Sequence, residues 1–236
     1  MPESIKQQLI VVSERAAFES ELAEAGLEPG RPVVVLIGGA ANLDHPESVD
    51  LKAIIRDGVI ATAQAIGAIV IDGGTDSGVM AIAGQAHDEL AGTIPLLGVA
   101  PIGRIAAEGI LEAVGSTPLE PHHTHIVLTP GDRWGAELPW LIDAARILSR
   151  GRAVVAVVID GGEIAAVEAE EALAQGWPVV ALAGSGRTAD DLAMAARQAA
   201  PDGGDSTARG RVVVRDIGSG GSELAATLRS MFEQPS

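Results

Sequence analysis

The chain has 236 residues, with 32 acidic and 16 basic side chains, a formal net charge of −16 and no cysteine. The charge argues against nucleic acid and anionic membranes as partners, because both require a basic surface, and the absence of cysteine excludes disulfides, thiolate catalysis and cysteine-ligated metals. Hydrophobic residues make up 47% and aromatic residues 2%, which predicts a single globular domain with a core of Ala, Val, Ile and Leu.

The first residues are polar and do not have the pattern of a signal peptide. No apolar run reaches the length needed to cross a membrane, so we expect a cytoplasmic protein without membrane insertion. Residues 1–32 are predicted to be an N-terminal extension. It contains a short strand near residues 8–12, followed by a helix that begins after Ser13 and stops near Gly26.

From residue 33 onwards, short apolar strands alternate with glycine-containing turns and amphipathic helices. The predicted strands lie near residues 33–37, 69–72, 95–100, 125–129, 153–159, 178–183 and 211–215. The predicted helices lie near residues 47–66, 78–91, 104–114, 136–150, 162–175, 188–199 and 221–232. This alternation predicts an α/β, Rossmann-like, doubly wound fold, with a mostly parallel sheet of about seven strands and helices on both faces. Residues 201–210 are predicted to be a flexible loop.

The strand predicted at 69–72 ends in a glycine-rich turn that runs from Gly73 to Gly78. Glycine lets the backbone turn sharply and exposes its N–H groups, while Thr75 and Ser77 can cap the helix that begins near Gly78. Such a turn can hold a phosphate group, although many turns of this kind are glycine-rich for steric reasons alone. Repetition of the pattern along the chain favours the phosphate-binding interpretation.

Ligands of parallel α/β sheets bind beyond the carboxyl ends of the strands, and six turns at that edge contain glycine. Three of these turns also carry an arginine, namely Arg104, Arg133 and Arg187, and a guanidinium group can bind phosphate oxygens in a bidentate manner. The candidate ligand-binding residues on these turns are Gly38, Gly39, Gly73, Gly74, Thr75, Ser77, Gly78, Arg104, Gly135, Glu137, Gly184, Ser185, Gly186, Arg187 and Thr188.

We expect the turn from Gly73 to Gly78 to hold one phosphate, and the turn from Gly184 to Thr188 to hold a ribose or a second phosphate. An alternative stays open for the second turn. Thr188, Asp190 and Asp191 also suit the first turn of a helix for structural reasons alone, whereas in the ligand-binding interpretation Ser185 and Arg187 contact the ligand while Asp190 holds the loop.

His122, His123 and His125 are close in sequence, but no further ligand recurs at a suitable spacing, so no metal site is predicted. We expect backbone carbonyls to satisfy these histidines. Trp140 is predicted to pack in the core, whereas Trp134, on a turn, is placed to stack on a base. The phosphate loop of nucleoside triphosphatases, the G-x-G-x-x-G turn of dehydrogenases and the G-x-S-x-G elbow of hydrolases are all missing.

Taken in their order along the chain, the motifs resemble the SLOG domain in its TRPM-like form (LSDAT, prokaryotic type). This domain occurs in the cytosolic N-terminal region of melastatin-type TRP channels and in bacterial proteins. The matching segments are Gly38-Gly39, Asp72–Met80, Pro95–Pro101, Leu119–His125, Gly135–Glu137 and Gly184–Asp190. The resemblance implies a Rossmann-like domain that binds a nucleotide-derived ligand such as ADP-ribose, needs no cofactor and acts as a sensor, not as a catalyst.

The wider superfamily includes the LOG-type phosphoribohydrolases, related to lysine-decarboxylase-like proteins, which cleave nucleoside monophosphates with a PGGxGTxxE motif. The segment Pro130–Glu137 is similar to that motif, but it lacks the Gly-Thr step and is one residue shorter. The alternative function is therefore a hydrolase, with Glu137 at the ribose and Arg133 on the phosphate. A third possibility is a protein-association module. The sequence leaves open whether the chain forms a homo-oligomer, and it does not identify an effector protein.

Overall fold

The computed structural model describes residues 7–39, 51–106, 115–199 and 211–233. The strands of the main sheet are β1 (Gln8–Val11), β2 (Val33–Gly38), β3 (Ile69–Asp72), β4 (Leu96–Pro101), β7 (His125–Thr129), β8 (Val154–Ile159), β9 (Val179–Ala183) and β10 (Val212–Asp216). All neighbouring strands are parallel, in the order β1-β7-β4-β3-β2-β8-β9-β10. Two short strands, β5 (Ile105–Ala106) and β6 (Thr117–Pro118), pair in parallel outside this sheet.

Helices connect the strands. They are α1 (Phe18–Glu24), α2 (Leu51–Ala53), a π-helical segment (Ile54–Ile60), α3 (Ala61–Ile66), α4 (Gly78–Glu89), α5 (Leu138–Ser149), α6 (Glu163–Ala174), α7 (Arg187–Ala199) and α8 (Gly220–Glu233). Short 3-10 turns lie at Arg15–Ala17, Ile102–Arg104 and Ile217–Ser219. No helix within the described ranges combines the length and the apolar character that crossing a membrane requires.

The two faces of the sheet form two hydrophobic cores, because successive residues of a strand point to opposite faces. Along β2, Val33 and Val35 pack in the core that contains α1, α5, α6 and α7, whereas Val34 and Leu36 pack in the core that contains α3, α4 and α8. Trp140 is buried in the first core, with its ring edge-on to Phe18 at a centroid distance of 5.2 Å. The predicted doubly wound α/β fold and the core position of Trp140 are therefore confirmed.

Two details differ from the sequence-based expectation. The main sheet has eight strands instead of about seven, because β1 pairs with β7 at one edge. The helix predicted over residues 104–114 is wrong at its start, where residues 105 and 106 pair with Thr117 and Pro118 as strand β5. The rest of that helix, from residue 107, and the loop predicted at 201–210 lie outside the described residues.

The segment that follows β6 runs along the turn after β3 and holds it in place. Asp76 donates its backbone N–H to Pro118 O at 2.8 Å, and Glu120 donates its own to Gly74 O at 3.0 Å. Thr75 and Leu119 form an isolated antiparallel bridge between these two contacts. The turn that the sequence analysis singled out is therefore fixed by a second segment that is distant in sequence.

A buried network of ionisable side chains reinforces the same contact. His123 lies between two carboxylates, with Nε2 2.8 Å from Asp72 Oδ1 and Nδ1 2.7 Å from Glu120 Oε2. Asp72 Oδ1 also accepts the N–H of Gly74 at 2.7 Å, and Glu120 accepts both the backbone N–H and Nδ1 of His122. The expectation that backbone carbonyls satisfy the histidines is met by His125, which contacts Ala25 O at 3.1 Å, but it is wrong for His123.

Both ring nitrogens of His123 face carboxylates, so each must donate a proton, which only the imidazolium can do. Burial alone would lower the pKa of His123, but the charges and hydrogen bonds of Asp72 and Glu120 outweigh it and raise the pKa to about 9. Burial would likewise raise the pKa of Glu120, and the hydrogen bonds from His123 and His122 lower it instead. The network is thus a buried ion cluster at neutral pH.

We predict that His123 lowers the free energy of unfolding by about 3 kcal/mol between about pH 6.5 and about pH 9, because it loses there a proton that it binds more tightly in the folded state, with a pKa of about 9. The contribution is complete below the unfolded pKa of about 6.5 and disappears as the pH rises through the folded pKa. Urea denaturation at a series of pH values measures this loss.

Across this range the loss should be about 3 kcal/mol smaller in His123→Gln than in the wild type, whereas His125→Gln, which changes a histidine bonded to a backbone carbonyl, should lose as much as the wild type. Equal losses in His123→Gln and in the wild type would show that His123 is neutral in the folded protein.

We further predict that Gly84→Ala destabilises the fold, although the same change gains about 1 kcal/mol in an ordinary helix. A methyl group on Gly84, in α4, would overlap the carboxylate of Glu120, which is fixed by His122 and His123. In a double-mutant cycle, Gly84→Ala should therefore lower the free energy of unfolding less in the Glu120→Ala protein than in the wild type. If Gly84→Ala lowered the free energy of unfolding equally in the wild type and in Glu120→Ala, the strain would not come from contact with Glu120.

Candidate functional site

A cavity of about 460 Å³ opens at the carboxyl edge of the sheet. It is lined by Leu36, Gly38, Gly39, Gly73, Thr75, Ser77, Met80, Thr117, Trp134, Glu137, Leu141, Gly162, Glu163, Ile164, Ala165, Glu168 and Arg187. The loops after β2, β3 and β8 meet here. Strands β2 and β8 are neighbours whose connections run to opposite sides of the sheet, which is the position where ligands of such folds bind.

One part of the cavity is built from glycine-rich backbone and helix N-termini. Gly38 ends β2 and Gly39 follows it, Ser77 directly precedes α4, and Gly162 directly precedes α6. The first turn of a helix carries unpaired N–H groups and a partial positive charge, so two such ends at one cavity favour an anionic ligand. Gly73 contributes an open surface, because a methyl group added to it would have its nearest neighbour 3.9 Å away, on Met80.

Arg187 lies beside this part of the cavity and is held by Asp160. Arg187 Nε donates to Asp160 Oδ1 at 2.7 Å and Nη2 donates to Oδ2 at 2.5 Å, a bidentate arrangement. Both residues have positive φ, 37° for Arg187 and 56° for Asp160, which is unusual for side chains larger than glycine. Gly39 must be small here, because a Cβ would lie 2.5 Å from Arg187 Nη2.

Glu137 is the residue that directly precedes α5, and it lines another part of the cavity. It is 5% exposed, and its Oε2 has no hydrogen-bond partner among the described residues. Burial raises the pKa of Glu137, against hydrogen bonds from the backbone N–H groups of Glu137 and Gly135 that lower it. A buried carboxyl oxygen without a partner is costly, and a bound ligand can supply that partner.

Glu168, on α6, is a second carboxyl group at the cavity, and the sequence analysis did not identify it. Burial, together with the nearby charges of Glu137 and Asp72, raises the pKa of Glu168 to about 8. The sequence signal that could have revealed Glu168 is its position on α6. Ala165, Ala169 and Ala172 form the buried stripe of this helix, and residue 168 falls on that stripe at a spacing of three and four.

Aromatic and cationic side chains form the mouth of the cavity. Trp134 lines it, and the guanidinium of Arg104 lies over the Trp134 ring at 5.5 Å from the centroid. Arg133, Gly135 and Trp134 also line a smaller adjoining hollow. The sequence analysis placed all three turn arginines at one edge, and of these Arg187 alone lines the main cavity itself.

The other predicted ligand-binding residues serve local structure in the described chain. Gly74 packs against β4, where its Cβ would lie 2.7 Å from Gly98 Cα, and Gly78 begins α4 with a φ of 53°. Gly184 donates its N–H to Asp190 Oδ1 at 2.5 Å, so Asp190 holds the loop as expected. Gly186, with a φ of 114°, lies against Asp160.

Ser185 and Thr188 bind backbone and do not line the cavity. Ser185 is fully buried, and its hydroxyl accepts the N–H of Asp160 and donates to Leu182 O. Thr188 donates its hydroxyl to the carbonyls of Gly161 and Gly162, at 3.0 and 3.1 Å. Both residues fix the turn that carries Asp160, and therefore position Arg187.

A search of residues 7–39, 51–106, 115–199 and 211–233 finds no group of three or more His, Cys, Asp or Glu side chains arranged to hold a metal ion. Asp72, Glu120, His122 and His123 are close together, but their contacts are hydrogen bonds to one another. The chemistry that this site offers is therefore hydrogen bonding from backbone N–H groups and Arg187, and proton exchange at two carboxyl groups.

Comparison with solved structures supports the fold. A crystal structure of the structural-genomics target TM1055 superimposes with a TM-score of 0.53 and 23% sequence identity. The match covers 84% of this chain and 98% of that protein. At this identity the likeness concerns the fold alone.

Sequence comparison finds relatives among ion channels. The chain is 30% identical over 207 residues to the mouse transient receptor potential cation channel subfamily M member 2, and 29% identical to the rat protein. Each match covers 72% of this chain but only 14% of the channel. The profile of the family described as "SLOG in TRPM, prokaryote" matches residues 31–225. The chain therefore belongs to the SLOG family, in the prokaryotic form of the domain found in TRPM channels.

Proposed function

We propose that this domain binds a nucleotide-derived ligand, ADP-ribose-like in its chemistry, in the cavity at the carboxyl edge of the sheet, and that it acts as a sensor without catalysing a reaction. The observation that carries the proposal is the convergence of the N-termini of α4 and α6 with Arg187 on a single cavity. These groups supply N–H donors and a guanidinium, which together suit phosphate.

The size and walls of the cavity support the same ligand class. A volume of about 460 Å³ lies within the usual range for small-molecule sites, roughly 300–1,000 Å³. Leu36, Met80, Leu141 and Ile164 provide apolar surface, and Trp134 provides an aromatic face near the mouth. An aromatic base packs well on such walls, while the phosphates occupy the polar end.

We predict that ADP-ribose raises the melting temperature of the purified protein and is recovered unaltered by chromatography. A ligand that binds only the folded state stabilises it by mass action, at about 2.7 kcal/mol when its concentration is 100 times Kd. AMP, ADP, NAD and cyclic nucleotides complete the panel. If no compound in this panel shifts the melting temperature, nucleotide binding is excluded and protein association becomes the leading function.

Gly73→Ala provides the matched variant for this measurement. A methyl at Gly73 fits the fold, because its nearest neighbour, on Met80, would be 3.9 Å away, yet it adds bulk to a residue that lines the cavity. We expect affinity to fall at least about tenfold, which corresponds to about 1.4 kcal/mol. Gly218→Ala, at a glycine with no atom within 4 Å and no place in the cavity lining, should leave affinity unchanged.

One observation favours a second candidate function, a phosphoribohydrolase. Glu137 is buried at the cavity, its Oε2 lacks a partner among the described residues, and burial raises its pKa. These are features of carboxyl groups that transfer protons during catalysis. Arg133, the expected phosphate ligand of this alternative, lines the adjoining hollow.

The hydrolase alternative predicts release of free base from AMP, and a fall of roughly a hundredfold or more in Glu137→Gln, since the amide cannot take up a proton. Chromatography of the incubated nucleotide measures the release. Undiminished release by the variant would exclude Glu137 as the catalytic carboxylate. Stabilisation by AMP without any release from the wild type would leave the sensor function.

A further inference from the structure

Glu168 occupies a position where a helix normally places an apolar residue. It lies on the stripe of α6 that packs towards the sheet with Ala165, Ala169 and Ala172, and it lines the cavity. Glu168 is half-buried there, and a carboxyl group in such a position costs desolvation energy. The phosphate-binding groups of the proposed site do not require this residue, so its presence needs a separate explanation.

Glu137 gives an independent indication that a ligand reaches this part of the cavity. It is more than nine-tenths buried and lines the same cavity as Glu168, and its Oε2 has no partner among the described residues. Buried polar atoms are almost always hydrogen-bonded. The orphaned oxygen therefore marks the place of a missing hydrogen-bond donor.

The two carboxyl groups cannot both be ionised at little cost. Burial, Glu137 and Asp72 raise the pKa of Glu168 to about 8, and burial raises the pKa of Glu137 as well. The other charged groups that line the cavity are Glu163, on the same helix as Glu168, and Arg187, which Asp160 holds. With a pKa of about 8, Glu168 holds a proton near neutral pH.

Resting on the proposed nucleotide-binding function, we propose that Glu137 and Glu168 form a second subsite, which binds the uncharged sugar and base part of the nucleotide through its hydrogen-bond donors. Phosphate is disfavoured at this end, because it would bring its negative charge against the oxygens of two carboxyl groups. Hydroxyl groups of a ribose and the exocyclic amine of a base share the required chemistry, since both donate to carboxyl oxygens.

The two side chains have different roles in this subsite. Glu137 accepts a hydrogen bond at Oε2, the oxygen that lacks a partner among the described residues. Protonated Glu168 both accepts a hydrogen bond and donates one to an acceptor on the ligand. When Glu168 loses its proton, that donated bond is lost and a further negative charge appears in the cavity, so affinity must fall as the pH rises.

The test is the affinity of ADP-ribose, measured by calorimetric titration of the full chain from about pH 6.5 to about pH 9. ADP-ribose suits this range because its diphosphate carries no proton there. With a pKa of about 8 for Glu168, we expect affinity to fall about tenfold between about pH 7 and about pH 9.

Glu168→Gln keeps a neutral donor and acceptor, and it should bind within about threefold of the wild type near neutral pH with little pH dependence. Glu168→Leu removes the hydrogen bonds and should lose about tenfold or more at every pH. Glu170→Gln, an exposed carboxyl on the same helix, is the matched control and should follow the wild-type profile. The Glu168→Gln comparison also separates the effect from the titration of His123, which is retained in both proteins.

Comparison of AMP, IMP and ribose 5-phosphate identifies the donor. Discrimination of AMP from IMP that disappears in Glu168→Leu assigns the subsite to the base amine, whereas equal losses with all three assign it to the sugar. If ADP-ribose binds but affinity is unchanged in Glu168→Leu, this inference is overturned and the proposed function stands. If the wild type binds none of these compounds, both are overturned.

Discussion

The buried imidazolium of His123, between the carboxylates of Asp72 and Glu120, determines where the turn after β3 lies. Removing one member of such a cluster leaves an uncompensated buried charge, which costs about 3–5 kcal/mol. Asp72 connects this cluster to the turn after β3 that lines the cavity. Its Oδ1, which contacts His123, also accepts the N–H of Gly74. Gly73, Thr75 and Ser77 line the cavity in the positions that result.

The topology of the sheet supplies the rest of the site. Because β2 and β8 are adjacent while their connections diverge, a crevice opens between Gly38-Gly39 and the turn before α6, and no side chain has to be displaced to form it. Helix N-termini meet at this crevice as a consequence of the parallel arrangement. The helix N-termini at the cavity are thus a property of the fold, whereas Glu137 and Glu168 are properties of this sequence.

The sequence predicted those features that have a local signal. Alternating apolar runs and glycine turns predicted the α/β fold, and the turns predicted seven lining residues, among them Gly39, Gly73 and Arg187. The sequence did not reveal that Gly74 packs closely against Gly98, because a glycine needed for close packing has the same letter as one that exposes its N–H to a ligand. Strand β5 was missed because its two residues depend on a partner at 117–118, which no local pattern reveals.

An acidic protein that binds an anion must do so with short-range groups. The formal charge of −16 repels nucleotides at a distance, but at physiological ionic strength this field is screened within about 8 Å. Asp160 already compensates the charge of Arg187, so in the proposed complex the backbone N–H groups and helix ends hold the phosphate. Free phosphate gains only these contacts. A nucleotide gains in addition the apolar walls and the carboxyl pair, so selectivity must arise at the end of the cavity where no phosphate binds.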